Sequence, residues 1–388
     1  MNPHTPNLTR RSLLKGGLLA LTGTALSGCT VSQIRQSIST SHQLYQGNVS
    51  QAVSAHIPGL GIPEIDGLFR QQVAHLLDEL AASWGEKRIA TPKEYVKYTD
   101  HYQSRALINF TTGRIQIETL RQSKTRTALK QAIVSTLLTP EDPAQVDLFT
   151  DQAIQMGKTP FLFDVVRDQD NKAIRYAWRA NRFADYLLKK GIKQRQDNRK
   201  TRYYVVFEMV KNYQGQQQRR YQLPVLRQAK RFHISASLIY SIIETESAFN
   251  PYAVSHAPAY GLMQIVPTTA GRDAYQLLNK RRGTPTKQTL FSAAKNIEYG
   301  TAYLSILFNR YLSGIHNHQA QTYCVTAAYN TGAGNVLKSF HPDRNQAIKT
   351  INRLTAQQVY THLTRKLSSA EARNYVVKVT RNRRKYQT

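Results

Sequence analysis

Beyond Pro224 the chain keeps a single hydrophobic rhythm almost to its end. Apolar residues recur at helical spacing across 224–232, 236–247, 267–280, 293–313, 319–329, 345–352, 356–363 and 369–380, and the conspicuous Gly, Pro and Asn residues fall between these runs. That pattern predicts a mainly α domain of short helices. Residues 65–213 behave differently and predict an α+β module. A helix is expected from Ile65 to Trp84. Ala106–Phe110 and Arg114–Glu118, joined by Thr111-Thr112-Gly113, read as a β-hairpin. Thr127 to Leu138 is helical in pattern and is broken by Pro140 to Pro143, and Arg202 to Val210 is a strand. Polar Asn212 to Gln222 predicts a linker, so the expected division is 65–213 and 214–388. With 388 residues, 41% of them hydrophobic, the chain can bury two cores and is not disordered wholesale.

One position in the helical half carries chemistry. In 236–247 (ASLIYSIIETES) the apolar stripe is Ile239, Ile242 and Ile243, and Glu246 lies on the same helical face. Glu244 projects to nearly the opposite side and is expected in water. Partial burial disfavours the ionised form of a carboxyl, which is what a general acid working near neutral pH needs. Small, amide and thioether groups follow closely: Ser247-Ala248-Phe249-Asn250-Pro251, then Ser255, then Gly261-Leu262-Met263-Gln264. Such a neighbourhood suits an acid that protonates a glycosidic oxygen. Taken alone, a Glu at a helix end is more often bonded to nearby backbone.

Charge and the N-terminus restrict the partner. A formal net charge of +29 favours a polyanion but does not choose among nucleic acid, anionic lipid and acidic polymer. Residues 1–28 decide that point. Arg10-Arg11-Ser12-Leu13-Leu14-Lys15 is a basic segment resembling a twin-arginine export signal, though a general secretory signal can also hold paired arginines. A short Gly-rich apolar run follows and ends in Leu26-Ser27-Gly28-Cys29, which resembles a bacterial lipobox. That resemblance implies a signal peptide over 1–28, lipid on the Cys29 thiol, and a tether over 29–64. Export argues against nucleic acid. The other cysteine, Cys324, lies in an apolar run and is expected to be a buried thiol. No Cys/His set has zinc-ligand spacing and no phosphate-binding glycine loop occurs, so neither a metal nor another cofactor is expected.

Four motifs agree in order and spacing with one family. Glu246-Ser247-x-Phe249-Asn250-Pro251, Gly261-Leu262-Met263-Gln264, Ala328-Tyr329-Asn330-x-Gly332-x-Gly334 and Ala370-Glu371-x-x-x-Tyr375 together resemble the lytic transglycosylases that have a goose-lysozyme-like domain. The front module, through Pro92-Lys93-x-Tyr95-Val96-Lys97-Tyr98-Thr99-Asp100 and Phe183-Ala184-Asp185-Tyr186-Leu187-Leu188-Lys189, resembles the N-terminal domain of a membrane-bound branch of that family. The resemblance implies a lysozyme-like fold for residues 214–388 and non-hydrolytic cleavage of peptidoglycan glycan strands. It implies Glu246 as the acid and then the base, and Ser255 as the group that positions the substrate acetamido. Met263, Gln264, Tyr329, Asn330 and Tyr375 match cleft positions, with Gly332 and Gly334 allowing close backbone approach. Glu371 reads as structural.

The loop His256-Ala257-Pro258-Ala259-Tyr260 departs from the pattern. Pro258 and Tyr260 replace smaller or polar residues, which would reshape a subsite, whereas His256 reads as a surface loop residue. The resemblance further implies a lipid anchor at Cys29, and Thr30 lacks the Asp of an inner-membrane retention signal. The expected location is thus the periplasmic face of the outer membrane. Two rival functions share these features: a lysozyme-type hydrolase, and a peptidoglycan-binding lipoprotein without activity. The sequence does not set an oligomeric state.

Overall fold

A computed structural model describes residues 77–197, 200–255 and 259–387. The signal, Cys29, the tether, the start of the first expected helix, His256 and Pro258 lie outside the described residues. Residues 77–84 are helical (α1). A five-stranded antiparallel sheet follows, built from β1 (Glu94–Thr99), β2 (Ser104–Asn109), β3 (Arg114–Thr119), β4 (Lys193–Asp197) and β5 (Lys200–Glu208) in the order β1-β2-β3-β5-β4. The expected hairpin forms with Asn109 opposite Arg114 and Ile108 opposite Ile115. Helices α2 (Thr125–Leu137) and α3 (Ala177–Lys190) pack on each other and on the sheet.

Period-two alternation gives this sheet two unlike faces. Tyr95, Ala106, Ile108, Ile115, Ile117, Val205 and Phe207 are buried on one. On the other, Tyr98, Arg105, Glu118 and Tyr204 stand opposite one another in register. Fully buried Arg105 bonds Glu118 Oε2 at 2.6 Å and Glu86 Oε1 at 2.6 Å, with its guanidinium 4.0 Å from the Trp84 ring centroid. Arg202, also fully buried, reaches Glu86 Oε1 at 2.6 Å and Trp84 O at 2.8 Å. Burying charge is tolerable here because each guanidinium meets carboxylates and an aromatic face.

The polar segment 212–222 is not a linker. It forms α4 (Tyr213–Arg220) and enters α5 (Gln222–Phe232). Gln and Arg are good helix formers, so polarity alone does not make a loop. Tyr213 Oη donates to Thr111 O at 2.7 Å and Arg220 Nη1 to Phe161 O at 2.6 Å, fastening α4 to the front module. The helical half continues through α6 (Ala236–Ser247), α7 (Arg272–Asn279), α8 (Lys287–Phe291), α9 (Ala293–Ile306) and α10 (His318–Thr331). It ends with α11 (Ala333–Phe340), α12 (Arg344–Asn352), α13 (Ala356–Lys366) and α14 (Ala370–Arg383). A π-turn precedes α7 and another follows α9, which accounts for the longer periodic runs at 267–280 and 293–313. Cys324 is buried, and burial pushes its thiol up to about 12.

Lys97 lies on the apolar face of the sheet, only 2% exposed, with Nζ 2.7 Å from both Asp147 O and Thr150 O. Burial pushes its ammonium down from 10.5 to about 8, opposed by Asp147 and Asp151. A base whose folded value is depressed gains protons on unfolding between the two values, so its contribution to stability rises with pH across that window. Thermal midpoints should therefore gain from this group between about pH 8 and 10. Lys97→Met should flatten that part of the profile, and an unaltered slope would place the titration elsewhere.

Candidate active site

The centre of the helical half is α6. Eleven of its twelve residues are buried, so it has no water-facing side. It stops where Ala248 (φ 49) and Phe249 (φ 63) both take the left-handed conformation, uncommon for residues with a Cβ. Glu246 is thus held just before a forced chain reversal, at 7% exposure. Glu244 is not in water. Its carboxylate is 2.5 Å from Lys385 Nζ and accepts from Tyr386 Oη at 2.9 Å. The basic C-terminal segment is correspondingly docked rather than frayed: Arg383 Nε donates to Ser237 Oγ at 3.2 Å and the Tyr386 ring stacks on Tyr240 at 5.2 Å.

Residues 250–255 and 259–265 close on one another through hydrogen bonds. Ala253 O accepts from Gly261 N at 2.9 Å and from Gln264 Nε2 at 3.1 Å, and Tyr260 exchanges backbone bonds with Ile265. Gln264 (φ 48) also donates Nε2 to Gly261 O at 2.9 Å, so its amide nitrogen is spent locally, while Oε1 meets no donor among the described residues. Ser255 N donates to Ala259 O at 3.1 Å, and Ser255 is partly exposed. Met263 is fully buried and its thioether fills the space over Gly300, so it packs against α9 rather than lining an open cleft. Tyr260 turns inward as well, 2% exposed and edge-on to Phe291 at 5.4 Å, which removes it from the subsite proposed for it.

A residue without a sequence signal of its own organises this loop. Asn296, on α9 and fully buried, accepts from Met263 N at 2.7 Å and donates to Tyr260 O at 2.7 Å and Leu290 O at 2.8 Å. Gly261 sits against it. A Cβ there would come within 2.4 Å of Asn296 Nδ2 and 2.5 Å of Leu290 O, and its φ of 72 is itself unfavourable for other residues. An Asn inside the apolar pattern of 293–306 was the one available hint.

Helices α10 and α14 complete the site, with α14 packed on both α6 and α10. Tyr329 joins the parts: its hydroxyl donates to Met263 O at 2.9 Å, and burial, then the Glu246 carboxylate, then Tyr303 hold it well above the usual phenol range. It therefore stays a donor. Asn330 Nδ2 donates to Glu371 Oε1 at 3.4 Å, and its Oδ1 meets no donor among the described residues. Tyr375 is on α14 at 5% exposure. Gly332 (φ 86) turns the chain between α10 and α11, whereas Gly334 lies inside α11 with open space where a Cβ would be. Among the described residues, no group of His, Cys, Asp and Glu could hold a metal ion.

The helical domain buries Glu246 at the end of its central helix, and its class follows from its relatives. Residues 224–352 match the transglycosylase SLT domain, and residues 64–222 match the N-terminal domain of membrane-bound lytic murein transglycosylase C. Curated relatives called membrane-bound lytic murein transglycosylase C, from Yersinia enterocolitica and Yersinia pestis, are each 44% identical over 320 residues, spanning 81% of this chain and 88% of the relative. The chain belongs to the membrane-bound lytic murein transglycosylase C family. The solved structure of the 70 kDa soluble lytic transglycosylase from Escherichia coli is 24% identical over 43% of this chain and 24% of that one, at a TM-score of 0.33.

Asn296→Ala should deprive Met263 N and Leu290 O of this partner, while Tyr260 O keeps its bond from Ile265 N, a loss of about 2 kcal/mol or more at ~1–3 kcal/mol per group. Urea unfolding measures it. A loss below about 1 kcal/mol would mean that the loop does not depend on this side chain.

Proposed function

We propose that this chain cleaves the β-1,4 bond between N-acetylmuramic acid and N-acetylglucosamine in peptidoglycan without consuming water, leaving a 1,6-anhydro end. The observation that supports the reading is the sheltered position of Glu246 in a domain where two other acids already have structural work. Glu244 is held by Lys385 and Tyr386, and Glu371 by Asn330. Ordinary glycosidases use two carboxylates, one on each side of the bond. Here a single acid suffices if the substrate supplies the second group.

In the first step protonated Glu246 gives its proton to the leaving oxygen as the C1–O bond breaks, and the carbonyl oxygen of the 2-acetamido group bonds to C1. In the second, the Glu246 carboxylate takes the proton of the C6 hydroxyl. O6 then bonds to C1, the bond from the acetamido oxygen breaks, and Glu246 is protonated again. No water enters. Ser255 orients the acetamido group, and Gln264 offers Oε1 to a sugar hydroxyl. Tyr329 holds the loop under the acid with Met263 as packing, while Asn330 and Tyr375 complete the cleft wall. In this division residues 214–388 perform the chemistry, 65–213 form the front module, and 29–64 tether both to lipid on Cys29.

Anchoring would place the enzyme on the periplasmic face of the outer membrane. Among the described residues no helix is long and apolar enough to cross a membrane; the attachment proposed is lipid on Cys29. One acyl chain binds marginally and several bind stably. The net charge of +29 then suits the carboxylates of peptidoglycan stems and anionic lipid alike.

Glu246→Gln should lower the release of soluble fragments from purified sacculi by ~10²–10⁴, the usual share of an acid–base group. Mass spectrometry of the products should show anhydro ends. Reducing ends heavier by one water would make the chain a hydrolase, and sacculus binding without release would make it a binding lipoprotein. Cys29→Ser should move the protein from the membrane fraction to the soluble fraction; retention in the membrane would refute the lipid anchor.

A further inference from the structure

Glu246 is followed, four and six residues later, by two polar side chains whose outward bonds cross into the front module. Asn250 is fully buried. Its Oδ1 accepts from Tyr252 N at 3.0 Å, closing a turn, and its Nδ2 donates to Pro92 O at 3.1 Å. Tyr252 is also fully buried. Its hydroxyl donates to Pro140 O at 2.6 Å, and its ring sits edge-on to Tyr95 at 5.2 Å and to Phe161 at 5.1 Å. Pro92 lies just ahead of β1 and Pro140 just beyond α2, so both acceptors belong to the front module.

The covalent path matters. Leaving Glu246, the chain passes the Asn250 and Tyr252 anchors and arrives at Ala253, whose carbonyl holds Gly261 N and Gln264 Nε2. Any shift of the two anchors is therefore passed on to the loop that bears Ser255 and Gln264. A second contact supports the same arrangement: Lys287 Nζ lies 5.6 Å from the Phe149 ring of the front module and 5.7 Å from Phe291, which packs on Tyr260. A helical domain standing alone would leave an Asn amide and a Tyr hydroxyl without the acceptors they now use, at a cost comparable to losing two buried hydrogen bonds.

We propose that Asn250 and Tyr252 are positioning residues through which the front module fixes Ser255 and Gln264 relative to Glu246, making that module a working part of the site rather than a spacer. The effect on rate rests on the glycan-cleaving function proposed above; the mechanical coupling does not.

Two variants of the full chain test it. Tyr252→Phe removes only the hydroxyl. Asn250→Asp keeps the turn to Tyr252 N but sets a carboxylate oxygen against Pro92 O. Hydrogen exchange at the Ser255 and Gly261 amides should speed up by about tenfold in both, with exchange in the α9 and α10 cores unchanged. On sacculi, kcat should fall by about tenfold with KM within about twofold, because a misplaced loop costs orientation more than binding. Unchanged exchange in this loop would overturn the proposal, and so would faster exchange spread evenly over the whole helical half, which would mean loss of stability alone. Exchange needs no substrate, so it decides the coupling even if the parent chain failed to cleave sacculi, a result that would count against the Glu246 chemistry instead.

Discussion

A carboxyl group enclosed at the tip of a helix that is buried on every side is the constraint around which the helical half is organised. Taking a charge out of water is expensive unless a partner or a proton compensates it. The surroundings of α6 show how the cost is distributed. Glu244, two residues before the catalytic candidate, is paired with an ammonium and accepts from a phenol of the C-terminal segment. Burial first, and then the charge of Glu246, keep the Tyr329 hydroxyl protonated. The two acids of one buried helix thus stand in different surroundings.

Backbone geometry then does much that side chains do elsewhere. Ala248, Phe249 and Gln264 all have positive φ, which clusters unfavourable conformations round the acid. Strain of this kind, of order 1–3 kcal/mol per residue, persists only where surrounding contacts over-determine it. Such contacts are present: Asn296 spans three backbone groups, Tyr329 holds Met263 O, and the front module holds Asn250 and Tyr252. Separate elements thus each hold a different part of the chain that follows the acid.

Much of this was legible in the chain itself, for reasons that differ by element. Residues 236–247 show their periodicity plainly and form a helix with those bounds, and the hairpin at 106–118 and the strand near 202–210 follow from alternation and a Gly turn. Segments whose stability comes from elsewhere were not legible. Strand β4, KQRQD, has no apolar alternation and exists because β5 pairs with it. Helix α4 looks like a linker until its bonds to Thr111 and Phe161 are seen. Glu244 and Lys385 are 141 residues apart, and no local pattern connects them. Met263 and Tyr260 illustrate the same limit within the site: a motif gives position in the chain, but which way a loop side chain turns is settled by Gly300 and Phe291.

The docking of Lys385 and Tyr386 has a consequence for where the molecule tolerates change. These two residues supply the partners of an acid on the innermost helix. Removing them would leave Glu244 as an uncompensated buried charge. An alteration 141 residues away in sequence therefore reaches the middle of α6.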